Sequence, residues 1–348
     1  MGNLTGYRLR YRNRVLYHRV QVAIRMWDAH LRTIAPKKYQ SAGQAARLMG
    51  AYTPGDAPTK RQELVVMGMR TVDATMAHAV SSYEGSVRLL TFQGGDPLPW
   101  SAMVLARTAF EASLRVLWIL ELGASEDLIL SRIGATILEG LEEHRKMHEV
   151  LPDELEGKER ALREQREAHQ FFEDTLSECG LSVSGDGKRG FVETPDSAKA
   201  AFPFNVVDAS TRWWDPVGVH TYRWLCSFTH AAYVPPLSSP VQVAAIDEAN
   251  AYVVLKLITD SLWKAMDAHS SWIGMPNSLV KRRLERVDVL LESRIPRHQK
   301  IERPPTEVEG IFLKIAATLE DTGLVSKRTV NRFVKHYVRR LGEPPDPG

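Results

Sequence analysis

Cysteine is almost missing from this sequence: Cys179 and Cys226 are its only two. Two thiols that far apart supply neither a disulfide framework nor a structural zinc site, and such sparing use suits a reducing cytoplasm, the expected location. Long apolar runs are lacking too. Val116 to Leu120 is among the longest and falls far short of the roughly 20 residues that cross a bilayer, so no membrane association is expected. The N-terminus carries charges with no apolar stretch behind them, and Gly6 spoils a myristoylation pattern, so no export is expected either. The sequence has no His-Glu-x-x-His, no Cys-x-x-Cys and no Gly-x-Ser-x-Gly, which removes the familiar metalloprotease, thiol-redox and hydrolase signatures. Gly185-Asp-Gly-Lys-Arg-Gly190 resembles a phosphate loop only in its glycines, since the sequence shows no strand before it and no Gly-Lys-Ser/Thr ending. Internal repeats and low-complexity tracts are absent as well.

Convincing period-2 alternation is equally hard to find, whereas helical spacing runs almost throughout. With 348 residues, 44% of them hydrophobic, the chain can bury one large core. The expected fold is all-α: a helical bundle over residues 61–275, flanked by a basic N-terminal helix and linker (1–60) and a basic C-terminal helical segment (276–348). Helices are predicted over Tyr7–Arg32, Arg61–Phe92, Trp100–Leu122, Ser125–Leu151 and Asp153–Cys179. Another should bear Arg223 and His230 and stop at Pro235-Pro236. Ser239-Pro240-Val-Gln242 reads as the start of a long helix to about His269, with a Ser cap and Pro in the first turn. Leu181 to Ser197, rich in Gly, Ser and Asp, is expected to be a mobile loop.

The net charge of +3 hides a division along the chain. Residues 1–40 hold nine Lys/Arg against Asp28 alone, and residues 277–340 hold fifteen against eight acids, which leaves 41–276 at about −10. Basic ends around an acidic middle either bind a polyanion or dock on that middle.

Chemistry has few places to sit. Arg107, Glu111 and Arg115 recur every four residues on the most apolar helix, which puts them on one face. They form either an ion-pair ladder or the wall of a polar pocket, because buried charge is costly to keep. His144 and His148 stand one helical turn apart, but no spacing supplies further ligands, and no metal or other cofactor is expected. Near the C-terminus a capping box at Thr306-x-x-Glu309, a turn at Thr322-Gly323 and the run Ser326-Lys327-Arg328-Thr-Val-Asn-Arg332 resemble a helix-turn-helix unit. Lys327, Arg328 and Arg332 are its candidate nucleic-acid contacts, the alternative being a helix pair that simply docks.

The pairing of Ala-Arg107-Thr-Ala-Phe-Glu111 with Tyr222-Arg223-Trp-Leu-Cys-Ser-Phe-Thr-His230 resembles bacterial all-α proteins that carry Arg-x-x-x-Glu followed by Ser-x-x-His. These are in turn similar to the HEPN superfamily of helical nucleases and toxins. The resemblance covers about residues 61–272. HEPN ribonucleases carry four to six residues between an Arg and the following His, a spacing met by the six that separate Arg223 from His230. Arg12/His18 and Arg163/His169 satisfy it too, but Arg223/His230 follows a loop and the Trp213-Trp214 pair and is flanked by apolar residues, as a pocket wall would be. The resemblance implies metal-independent RNA cleavage in defence or stress response, by a homodimer. His230 would be the acid or base and Arg223 the phosphate clamp. Glu111 would orient either of them, and Arg107 would add a second phosphate contact. Trp213 and Trp214 would stack on unpaired bases. RNA is the expected partner rather than DNA. Two further readings remain: a non-catalytic helical module that binds nucleic acid or protein, and an enzyme on small molecules using a metal at His144 and His148.

Overall fold

The computed structural model describes residues 14–29, 43–50, 57–91, 99–153, 155–185, 189–214, 217–229, 240–274 and 278–292. The helix expected over 306–319 and the one over 327–341, His230, and the cap at Ser239 lie outside the described residues. Within them the chain is mostly helical, as its spacing predicts. The helices are α1 (residues 14–29), α2 (Gln44–Met49), α3 (Lys60–Leu90), α4 (Pro99–Ile119), α5 (Glu126–Glu149), α6 (Lys158–Glu178), α7 (Val206–Trp214), α8 (Val217–Thr229), α9 (Pro240–Ile273) and α10 (Ser278–Glu292).

Local signals set several of these boundaries. Thr59 opens α3 with a reciprocal cap: its hydroxyl accepts from the Gln62 amide, and the Gln62 side chain accepts from the Thr59 amide at 2.8 Å. The same Gln62 donates to the Met49 carbonyl at 2.9 Å, which ties the end of α2 to the start of α3. Ser125 caps α5, and Arg61 reaches from α3 to Asp127 (2.9 Å) in the first turn of α5. The acidic residues of that turn thus face the N-terminal end of the helix dipole and a guanidinium together.

Helix α4 lies at the centre, packed by α3, α9, α8, α7 and α5. That position follows from its composition, since a helix apolar on nearly every side must be covered on most of them. One buried cluster extends from Leu16 in α1 to Leu291 in α10, so the helices assigned to basic extensions share the bundle's core. They dock through apolar stripes. Helix α1 buries Leu16, Val20, Ala23 and Trp27, and α10 buries Val280, Leu284, Val287 and Leu291. Trp27 meets the edge of His269 at 5.4 Å. His269 itself is fully buried on α9, and its Nε2 lies 2.8 Å from Asp73 Oδ1 on α3. Among the described residues no helix is long and apolar enough to cross a membrane.

Strands stand within the segment expected as a mobile loop and just after it. Ser182–Gly185 (β1), Gly190–Glu193 (β2) and Lys199–Phe202 (β3) form an antiparallel sheet in the order β1-β2-β3, with Gly185 opposite Gly190 and Gly190 opposite Phe202. A strand does therefore precede Gly185, but it leads into a hairpin and not into a helix. Only Val192 and Ala200 are fully buried in these strands. Alternation that short is invisible beside Gly, Ser and Asp, and the sheet is stable because it lies on α5 and α6.

Gly190 lets the Phe202 ring close over the sheet. A Cβ there would lie 2.1 Å from the Phe202 ring. Gly190→Ala is expected to lower stability by roughly 1–3 kcal/mol, as overpacking does, in chemical denaturation; a freely mobile loop would tolerate it without loss.

Candidate functional site

Helix α8 brings its residues against α4 because α7 and α8 approach very closely. A Cβ on Gly218 would stand 2.6 Å from the Ser210 carbonyl oxygen. The start of α7 is in turn fixed by a clamp on the β3–α7 connection. Arg115 binds Glu139 of α5 through two hydrogen bonds (2.7 and 2.9 Å), Glu139 also accepts from the Phe204 amide at 3.1 Å, and the Arg115 guanidinium lies over the Phe204 ring at 4.9 Å. At the other end of α7, Arg212 pairs with Glu121 just beyond α4. Glu121 also holds the buried Arg132 at 2.7 Å; burial lowers the pKa of that guanidinium and outweighs the carboxylate beside it.

The four-residue series on α4 is consequently split. Arg107 pairs with Glu111, Nε to Oε1, at 2.7 Å, whereas Arg115 turns away to Glu139. Burial opposes the charge on Arg107, yet the hydrogen bond and charge of Glu111 prevail and hold its pKa above the ordinary value. From α8 the residue that meets this pair is Tyr222. Its ring lies 5.5 Å from the Arg107 guanidinium, and its hydroxyl accepts a long 3.5 Å contact from Nη2. Desolvation first, then the Glu111 carboxylate and Cys226, push the Tyr222 phenol up to about 12, with Arg107 opposing. At neutral pH Tyr222 is therefore an uncharged hydrogen-bond donor.

Two cavities flank residues 203–204. One, of about 320 Å³, is lined by Arg189, Pro203, Phe204, Asn205, Val206, Val207 and Tyr222. It joins the hairpin cation Arg189 to the phenol of the α4–α8 cluster. The other, of about 420 Å³, lies between α5, α6 and the sheet, with Glu139, Glu142, His169, Phe202 and Pro203 among its walls.

The sequence-predicted residues separate accordingly. Arg107 and Glu111 come together and touch α8. Arg223 is exposed, with no ionic or hydrogen-bonding partner among the described residues, because on a helix it is turned about 100° from Tyr222. Tyr222 and Cys226, one turn apart, share the face that meets α4, a spacing already present in the sequence. His230, Lys327, Arg328 and Arg332 lie outside the described residues. Trp213 is half-buried and touches Arg212. Trp214 is 3% exposed with Lys264 Nζ 3.6 Å above its ring, which corrects its assignment as a stacking surface: no face is left for a base. His144 and His148 belong to no cluster of three or more His, Cys, Asp or Glu in ligand geometry among the described residues. Arg189 and Tyr222 were missed; Arg189 was hidden by the loop assignment of its hairpin.

No family model, curated protein or solved structure matches this chain.

The cluster makes a specific electrostatic prediction. The Glu111 carboxylate disfavours a second negative charge on the phenolate, so Glu111→Gln should bring the Tyr222 midpoint down from about 12 towards the ordinary value near 10. NMR titration of ring-labelled tyrosine, with Tyr222→Phe to assign the signal, checks this; an unmoved midpoint would show that Glu111 does not govern the phenol.

Proposed function

We propose that the cleft bounded by Arg189 and Tyr222, beside the α4–α8 cluster, acts on single-stranded RNA and cleaves it without a metal ion, as the resemblance to HEPN ribonucleases implies. The observation that carries the reading is Tyr222, a neutral phenol shared between the Arg107–Glu111 pair and a cavity that also displays Arg189. A phosphodiester needs this kind of surroundings: cations for its oxygens and an uncharged donor that adds no repulsion. Arg189 and the exposed Arg223 would hold the scissile phosphate, and Tyr222 would donate to one of its oxygens. Arg107, held by Glu111, would add positive potential behind the phenol.

In the proposed reaction a ribose 2′-oxygen attacks the adjacent phosphorus as its proton passes to His230, and the P–O5′ bond breaks as the departing oxygen takes up a proton from water. The products are a 2′,3′-cyclic phosphate and a 5′-hydroxyl. Homodimerisation, and a place in defence or stress response as a toxin, follow from the resemblance and belong to the same proposal.

One observation favours the alternative, a non-catalytic helical module that binds nucleic acid or protein. Glu111 neutralises Arg107, as a structural ion pair would.

Purified protein should cut an unstructured RNA in the presence of a chelator, and a 2′-deoxy substitution at the scissile position should block the cut. Arg223→Ala and His230→Ala should each lower the rate by about 10²-fold or more. RNA that is bound but never cleaved would refute catalysis in favour of the binding module.

A further inference from the structure

The basic C-terminal helix α10 does not spend its charge on the acidic middle of the chain. It packs on α9 through Val280, Leu284, Val287 and Leu291, and Lys256 of α9 reaches Asp288 at 3.0 Å. A cation of the middle thus meets an acid of the basic segment, opposite to what charge-driven docking would give. Arg282 and Arg286 are left exposed, one turn and about 6 Å apart along the axis. Neither has an ionic or hydrogen-bonding partner among the described residues, although Glu285 is exposed beside them. Arg160 on α6, by contrast, is paired with Glu164.

Two lysines extend this face. Lys281 Nζ stands 5.4 Å from the ring centre of Trp263, and the adjacent residue of α9, Lys264, sits 3.6 Å over Trp214 at the end of α7. Lys264 also lies 3.6 Å from Asp260, at the outer limit of an ion pair. Cation–π contact holds each ammonium in place on an aromatic ring, so less side-chain freedom remains to be lost when a phosphate binds. One seated lysine thus stands where α9 meets the end of α7, and the other where α10 meets α9, next in sequence to Arg282.

We infer that Lys264, Lys281, Arg282 and Arg286 form a phosphate-tracking path for single-stranded RNA, outside the cleft bounded by Arg189 and Tyr222. The path recognises the backbone and no particular base, since its tryptophans are occupied as seats for the lysines. RNA as the occupant rests on the function proposed above; the location of the path rests on the unpartnered arginines and seated lysines.

The test uses the full chain and a fluorescent, 2′-O-methylated oligoribonucleotide that cannot be cleaved, with anisotropy read across a salt series. Arg282→Glu/Arg286→Glu should weaken binding at least tenfold at low salt. Arg282→Gln/Arg286→Gln should reduce the slope of log affinity against log salt by about 1.4, the value for two phosphate contacts on a single strand. Both positions are exposed, and circular dichroism would verify that the variants fold. Binding and slope unchanged in both variants would overturn the path while leaving the cleft untouched. Failure of the wild-type chain to bind the oligonucleotide would overturn the RNA reading of path and cleft together. His230→Ala should abolish cleavage yet retain the salt-dependent binding; loss of that binding in His230→Ala would place the phosphate contacts in the cleft and refute a separate path.

Discussion

The constraint on which this architecture turns is that α4 must be covered on most of its surface while still satisfying three charges along one of its faces. Two of those charges satisfy each other, Arg107 with Glu111. The third cannot be satisfied within the helix, and Arg115 leaves it for Glu139 on α5. Glu139 then captures the Phe204 amide, which fixes where the chain departs from the sheet and where α7 begins. Helix α8 follows α7 closely because Gly218 permits it, and Tyr222 arrives at Arg107. A bidentate arginine–carboxylate pair thereby positions a polar cluster about one hundred residues away in sequence.

The bundle itself was largely legible in the sequence. Spacing located most of the long helices, and the apolar character of α4 anticipated its central position. The sheet was not legible, because strands of four residues with only Val192 and Ala200 turned fully inward carry too little alternation to distinguish them from a polar loop. The site was half legible. Four-residue spacing put Arg107 and Glu111 together, but the residue of α8 that meets them is Tyr222, one position before Arg223. Tyr222 and Cys226 had the spacing of a buried face throughout. The tryptophan pair shows the same limitation, since composition suggests aromatic surface while packing decides that Trp214 belongs under Lys264.

Charge distribution along a chain is likewise a poor guide to what the charges touch. The basic ends and the acidic middle would suggest mutual neutralisation, yet α1 and α10 are held by leucine, valine and tryptophan. Apolar burial is worth about 25 cal/mol per Å² regardless of the partner's charge, whereas an exposed ion pair adds at most about 1 kcal/mol. Docking by the stronger term frees the arginines of α10 to remain in water.

Pro203 is a wall of both the cavity beside Tyr222 and the one enclosed by α5, α6 and the sheet. Glu139, which accepts from the amide of the next residue, Phe204, lines the second of them. A replacement at Pro203 would therefore reshape both hollows at once.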